Sequence, residues 1–212
     1  MGNVIGKGTK LRTIHHKIHT LDSFKFRNYR FFWISSTSSG VGFLLQQVVI
    51  GWIIYDLTNS PILTSLALSI DFVFALGAPI GGLVADTQNK KRLLFLCYIF
   101  QMMITLMLSV IILMDRLEIW HIFAFTTLMG SSYIIHDPCR TALISSLVPN
   151  KLLVNAFALT SLGFSFSRLI VPVLGGILLA TSGAGIALLG EAVAILIASA
   201  LILRLTDTTS SS

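Results

Sequence analysis

Apolar stretches of membrane-crossing length recur along the chain, separated by short runs in which charge, proline and glycine collect. About 20 apolar residues in a helix cross the roughly 30 Å hydrocarbon core of a bilayer, so each stretch predicts a transmembrane helix. Six are predicted: Phe31 to Tyr55, Ile62 to Ala85, Leu93 to Met114, Ile119 to Ile135, Leu152 to Ala180, and a last one ending at Leu203. The breaks are Asp56 to Pro61, Thr87 to Arg92, Asp115 to Glu118, His136 to Lys151, and Ser182 to Gly185. In the longest break, Leu143, Ile144 and Leu147 stand at helical spacing, which predicts a short helix lying on the membrane surface. The predicted fold class is all-α integral membrane, with a basic arm at 1–30, a six-helix membrane domain at 31–205 and a polar tail at 206–212.

Composition agrees and excludes a soluble globular domain: 54% of the residues are hydrophobic and 11% charged, with a mean hydropathy of +0.84. The net charge of +6 does not point to nucleic acid, because the cations sit in particular breaks rather than over a surface. Lys7, Lys10, Arg12, Lys17, Lys25, Arg27 and Arg30 lie in the arm, Lys90, Lys91 and Arg92 in the second break, Arg140 and Lys151 in the fourth, and Arg204 at the end. With both termini cytoplasmic, thirteen of the fifteen Lys and Arg residues fall inside, which orients a multi-pass protein of the plasma (inner) membrane. The arm has no signal-peptide pattern, and its His15, His16 and His19 read as part of a lipid-surface segment rather than a metal site. Cys97 and Cys139 have neither disulfide nor zinc spacing, and no metal or cofactor is expected.

Polar groups inside the spans carry the candidate chemistry. The first span has a small polar side, Ser35 to Ser39 with Gly40 and Gly42, followed by Gln46 and Gln47. Two adjacent glutamines cannot share one narrow packing seam, so Ser39, Gln46 and Gln47 are candidates for the wall of a polar cavity. Asp71, Arg168 and Glu191 are intramembrane charges on the second, fifth and sixth spans. A charge at mid-bilayer costs about 2.5 to 3.5 kcal/mol on insertion scales, so each is expected to face the protein interior, paired or protonated. No spaced metal ligands and no nucleophile with a base and an orienting group appear, and His136 beside Asp137 does not by itself make a site, so an enzyme is not expected.

The turn Gly82-Leu83-Val84-Ala85-Asp86, followed by Lys90, Lys91 and Arg92, resembles the motif between the second and third helices of the major facilitator superfamily of transporters. Thr87 and Asn89 depart from it, where a basic residue and a glycine are usual. Gln46-Gln47 to Trp52, Tyr55, Leu57-Thr58 and Ser60-Pro61, with Asp137, Pro138, Arg140, Pro149 and Asn155-Ala156, resemble the enterobactin-exporter-like and macrolide-efflux-like branch. Arg168, Pro172, Gly175 and Gly176 resemble the antiporter-associated motif, with Val171 in place of its glycine. The resemblance runs from about residue 26 to 205 and covers the first of the two six-helix halves of such transporters. It implies that the chain is truncated, that it pairs with a separate second six-helix half, or that it has a homodimer partner. Pro79 to Gly82 and Pro172 to Gly176 also recur in corresponding spans, as a 3+3 inverted repeat requires.

The expected function is proton-coupled efflux of a small molecule, drug-like or siderophore-like, through the bilayer. Asp71 or Glu191 is expected to take the proton, with Arg168 regulating it or binding an anionic substrate. Gly82, Asp86, Lys90, Lys91, Arg92, Asp137 and Arg140 are candidates for a cytoplasmic gate, and Gly81, Pro172, Gly175 and Gly176 for close helix packing. The other reading is a non-transporting membrane interaction or regulatory protein derived from a transporter half.

Overall fold

The structure is a computed structural model that describes residues 22–206, with only the backbone of Asp71 and Phe72. Most of the basic arm and of the polar tail, including the three arm histidines, therefore lies outside the described residues. All regular structure within them is helical: α1 (Arg27–Thr58), α2 (Pro61–Ala75), α3 (Ala78–Thr87), α4 (Lys90–Leu113), α5 (Ile119–Leu147) and α6 (Leu153–Leu203), with single 3-10 turns at Asp22–Lys25 and Asn150–Leu152. The first helix starts at Arg27, inside the stretch assigned to the arm.

Local chemistry sets the boundaries. α1 ends on Asn59 in the left-handed conformation, at φ 48° and ψ 26°, a backbone that asparagine tolerates. Ser60 then caps α2, its hydroxyl accepting from the Leu63 amide at 3.3 Å, with Pro61 in the first turn, where no N–H is needed. Asn89 caps α4 in the same way through the Arg92 amide, at 3.2 Å. Glu118 and His121 form a reciprocal capping box at the start of α5.

Two predicted elements differ. The second span is broken: α2 and α3 meet at Leu76 and Gly77 with a bend of 47°. Pro79 has no N–H to give to the Ala75 carbonyl, so the helix restarts there. Conversely, the break predicted at His136 to Arg140 is not a break, because α5 runs on through Pro138 to Leu147 and the separate surface helix is its continuation. Pro138 costs α5 only the bond to the Ile134 carbonyl, and that carbonyl lies where a Cβ on Gly81 of α3 would fall. The proline thus exposes an acceptor, and the glycine lets the α3 backbone come up against it.

α6 is two antiparallel arms. Gly183, at φ 81° and ψ 169°, separates 153–182 from 184–203. Tyr29 Oη donates to the Ala156 carbonyl at 2.8 Å and Ser35 Oγ to the Ala198 carbonyl at 2.8 Å, so both arms return to the same end of α1. That backbone combination is essentially confined to glycine, so Gly183→Ala is expected to cost about 1–3 kcal/mol, read as a lower thermal midpoint of the protein purified in detergent. Three helices are long and apolar enough to cross a membrane by themselves, Arg27–Thr58, Lys90–Leu113 and Asn150–Leu203, and the bent pair Pro61–Ala75 and Ala78–Thr87 makes a fourth if it is one span.

The buried apolar residues fall into two clusters at different heights. One, at the end carrying Lys90, Arg140 and Arg204 (the basic end), holds Tyr29, Phe32, Leu94, Tyr98, Cys139, Leu143, Ala198 and Ile202. The other, toward Asp115 and Glu118, holds Val49, Ile50, Leu108, Ile122, Phe125, Ala187 and Leu188. Small residues let the backbones close up between them, as at Gly175 against Leu45 and Gly185 against Leu113.

Candidate functional site

Between the two apolar clusters the inward faces of α1, α4, α5 and the second arm of α6 turn polar. On α4 the buried residues Tyr98, Gln101, Thr105 and Ser109 succeed one another at spacings of three and four, one face of a helix. α5 opposes them with Ser132 and His136, the second arm of α6 with Glu191, and α1 with Ser35, Ser36, Ser39 and Gln46, all buried. Gln101 Nε2 donates to Ser132 Oγ at 2.7 Å, and Thr105 Oγ1 donates to Glu191 Oε1 at 3.1 Å. Gly42 of α1 covers the Glu191 stem, a Cβ there lying 3.5 Å from Glu191 Cγ. The carboxyl is 1% exposed, and its Oε2 has no hydrogen-bond partner in the protein.

Toward the basic end the layer leads into a second group. The His136 ring stands edge-on to Tyr98 and to Tyr133, with centroids 5.4 Å from each. Its Nδ1 meets Asp137 Oδ1 at 3.0 Å. Arg140 Nη1 donates to Ser36 Oγ at 3.2 Å, while its Nε stands 3.7 Å from Asp137 Oδ1. The Asp137 side chain is more than half exposed and opens this group to the surface.

The expected site residues are distributed unevenly over this arrangement. Glu191, Gln46 and Ser39 are in the polar layer, and Gln47, next to Gln46, is half-buried. Asp71 falls on α2, with its side chain outside the described residues. Arg168 is not beside Glu191: it lies on the exposed face of the first α6 arm, its guanidinium 5.2 Å from the Phe164 ring centroid. Pro172 and Gly176 share that exposed face, and only Gly175 is buried. Of the gate candidates, Asp137 and Arg140 come together, and Lys91 Nζ donates to the Leu205 carbonyl at 2.5 Å, tying α4 to the end of α6. Asp86 and Arg92 are exposed, Lys90 and Gly82 are half-buried, and none of the ion pairs formed among the described residues includes Asp86.

His136, Tyr98, Gln101, Thr105 and Ser132 were not singled out from the sequence as site residues. The signal was present for α4, since four polar residues at helical spacing interrupt an otherwise apolar span. An open hollow of about 690 Å³ lies elsewhere, at the opposite end, between Leu57, Leu117, Glu118, Trp120 and Phe123.

Apolar helices long enough to cross a bilayer, packed around a buried polar layer, define a multi-pass membrane protein. The family model for transmembrane secretion effectors matches residues 18–211, and the chain belongs to that family, within the major facilitator superfamily of transporters. The family assignment points to transport of a small molecule rather than to an enzyme. A search of curated proteins found no match.

Proposed function

We propose that the chain is a six-span bundle of the inner membrane that exports a small molecule in exchange for protons, acting with a second six-helix unit or a second copy. The observation that carries this reading is Glu191, a fully buried carboxyl at mid-height with one hydroxyl partner and one free oxygen. Such a group is costly to keep in a membrane protein, and it changes charge when the bundle opens it to one side or the other. Counting the bent α2–α3 pair as one span, α4, α5 and the two arms of α6 bring the total with α1 to six.

The packing supports a 3+3 inverted repeat. Gly81, in the second span, packs on α5, the fourth span, and Gly175, in the fifth, packs on α1, the first. An exchange of the two triplets maps each contact onto the other. The basic end, with Lys90, Lys91, Arg92, Arg140 and Arg204, is then the cytoplasmic one, and Asp137 and Arg140 form part of its gate.

The test is dissipation of a proton gradient. Inverted membrane vesicles containing the chain are acidified by respiration, the gradient is followed with a quenched acridine dye, and catecholate siderophores and macrolides are added in turn. A substrate is expected to dissipate the gradient with the native chain, and Glu191→Gln is expected to abolish that response. Equal dissipation by the variant would remove proton coupling from Glu191.

A further inference from the structure

Five buried side-chain polar atoms among the described residues have no hydrogen-bond partner: Gln46 Oε1, Tyr98 Oη, His136 Nε2, Arg140 Nε and Glu191 Oε2. They are not scattered. All belong to the facing sides of α1, α4, α5 and the second arm of α6, in or beside the polar layer. Each would cost about 1–3 kcal/mol if left unsatisfied, more than a bundle can bear five times over. Closely spaced buried polar groups of this kind are ordinarily satisfied by internal water.

Their order along the bundle gives the column a direction. It starts at Asp137, open to the basic end, and passes by the 3.0 Å contact to His136. That ring, whose Nε2 has no partner, stands edge-on to Tyr98 at 5.4 Å, and the Tyr98 hydroxyl is near Ser35 and Ser39 without a well-formed hydrogen bond to either. Gln101 and Ser132, joined at 2.7 Å, stand one helical turn on from Tyr98 and His136, and Thr105, bonded to Glu191, one turn beyond Gln101. A turn rises about 5.4 Å, the span of two hydrogen bonds through one water, so one water between successive members would connect them. The titratable and charged groups facing the column are Tyr98 from α4 and Tyr133, His136, Asp137 and Arg140 from α5, while α1 presents only serines and Gln46 at this height.

We propose that Asp137, His136, Tyr98, Gln101, Ser132 and Thr105 form a proton path within the bundle that connects the basic end to Glu191. This rests on the reading of Glu191 as the proton-coupling group and adds to it the route by which the proton enters or leaves. His136 carries a proton by taking it at one ring nitrogen and releasing it from the other, so that the ring is unchanged after each transfer and a reorientation. The hydroxyls and the amide order the waters, and Thr105 delivers the chain to the carboxyl.

The test follows the carboxyl itself and needs no substrate. Infrared difference spectra of the full chain in lipid vesicles, taken between acidic and alkaline buffer, identify a carboxylic C=O band, which Glu191→Gln should delete. The rate at which that band shifts after transfer to D2O then reports proton access. Thr105→Val, which keeps the shape and removes the hydroxyl, and His136→Phe, which keeps the edge-on ring packing, are expected to slow the shift about 10²-fold, the lower end of what a positioned proton carrier contributes. Thr105→Ser should restore the native rate. A hydrogen bond of purely structural value would move the band's frequency and leave its exchange rate alone. Native rates in both slowed candidates, with the band still lost in Glu191→Gln, overturn the path and leave the coupling reading standing. A band that survives Glu191→Gln removes the coupling reading, and the path with it.

Discussion

Gly81→Ala is expected to destabilise the bundle by about 3 kcal/mol, the upper end of the cost of overpacking, while Gly82→Ala beside it is expected to be nearly silent. A methyl on Gly81 would fall on the Ile134 carbonyl oxygen, which is backbone and cannot rotate away. A methyl on Gly82 meets nothing within 4 Å. The contact exists because Pro138 withholds the N–H that would otherwise engage Ile134, so the clash cannot be relieved without moving α3 away from α5. The check is the thermal midpoint of the purified protein in detergent, with the two variants compared side by side. Equal midpoints would mean that α3 does not approach α5 as closely as described. Because Gly82 is the residue that resembles the superfamily motif, the pair also separates packing from gating: a Gly82→Ala chain that folds normally but exports poorly would place the motif glycine in the gate.

Arg168→Leu is expected to favour membrane insertion by about 3 kcal/mol, roughly 10²-fold, and to abolish export. Residue 168 lies near the middle of the arm 153–182, on its exposed face, with the ring of Phe164 as its neighbour. An arginine facing lipid at that depth lowers stability, and an aromatic face returns only about 0.5–2 kcal/mol of the cost. A residue kept at the expense of stability has a task to perform, and on the proposed function that task is contact with substrate or with a second six-helix unit. Insertion is measured with the isolated segment carrying a glycosylation site, and export with the gradient assay. Unchanged insertion of the leucine variant would mean that Arg168 does not face lipid even in the segment alone. Unchanged export would mean that it serves neither substrate nor partner.

Much of the architecture was legible before any coordinates, because a bilayer imposes one dominant rule on every span. Apolar runs of sufficient length, the polar breaks between them and the cations around Lys90 placed most of the helices and their ends with small errors. The errors came from proline and glycine, whose effect depends on what packs beside them. Pro79 breaks its helix and Pro138 does not, and no local pattern distinguishes them, since the difference lies in whether a neighbouring backbone uses the liberated carbonyl.

The candidate site was legible in part: Glu191, Gln46, Ser39, Asp137 and Arg140 were expected, while His136 and the polar face of α4 were not. Glu191 stands out in any apolar run, and so do Asp71 and Arg168, but hydropathy says nothing of which face of a helix a charge occupies. The expected pairing of Arg168 with an acid inside the bundle required the first α6 arm to present residue 168 inward. The structure presents Ser167 and Val171 inward instead and leaves Arg168 exposed. His136 was passed over because its sequence neighbours offer only one partner. Its other surroundings, Tyr98 and the polar face of α4, come from a helix about forty residues away.

The sequence by itself determined that this chain lives in a membrane as a set of helices and where most of them begin and end, because length, hydropathy and capping are local quantities. Only the tertiary structure decided which polar residues face one another: the polar layer exists because α1, α4, α5 and the second arm of α6 turn one face each to a common axis, and the rotation of a helix about its own axis is set by the helices packed against it.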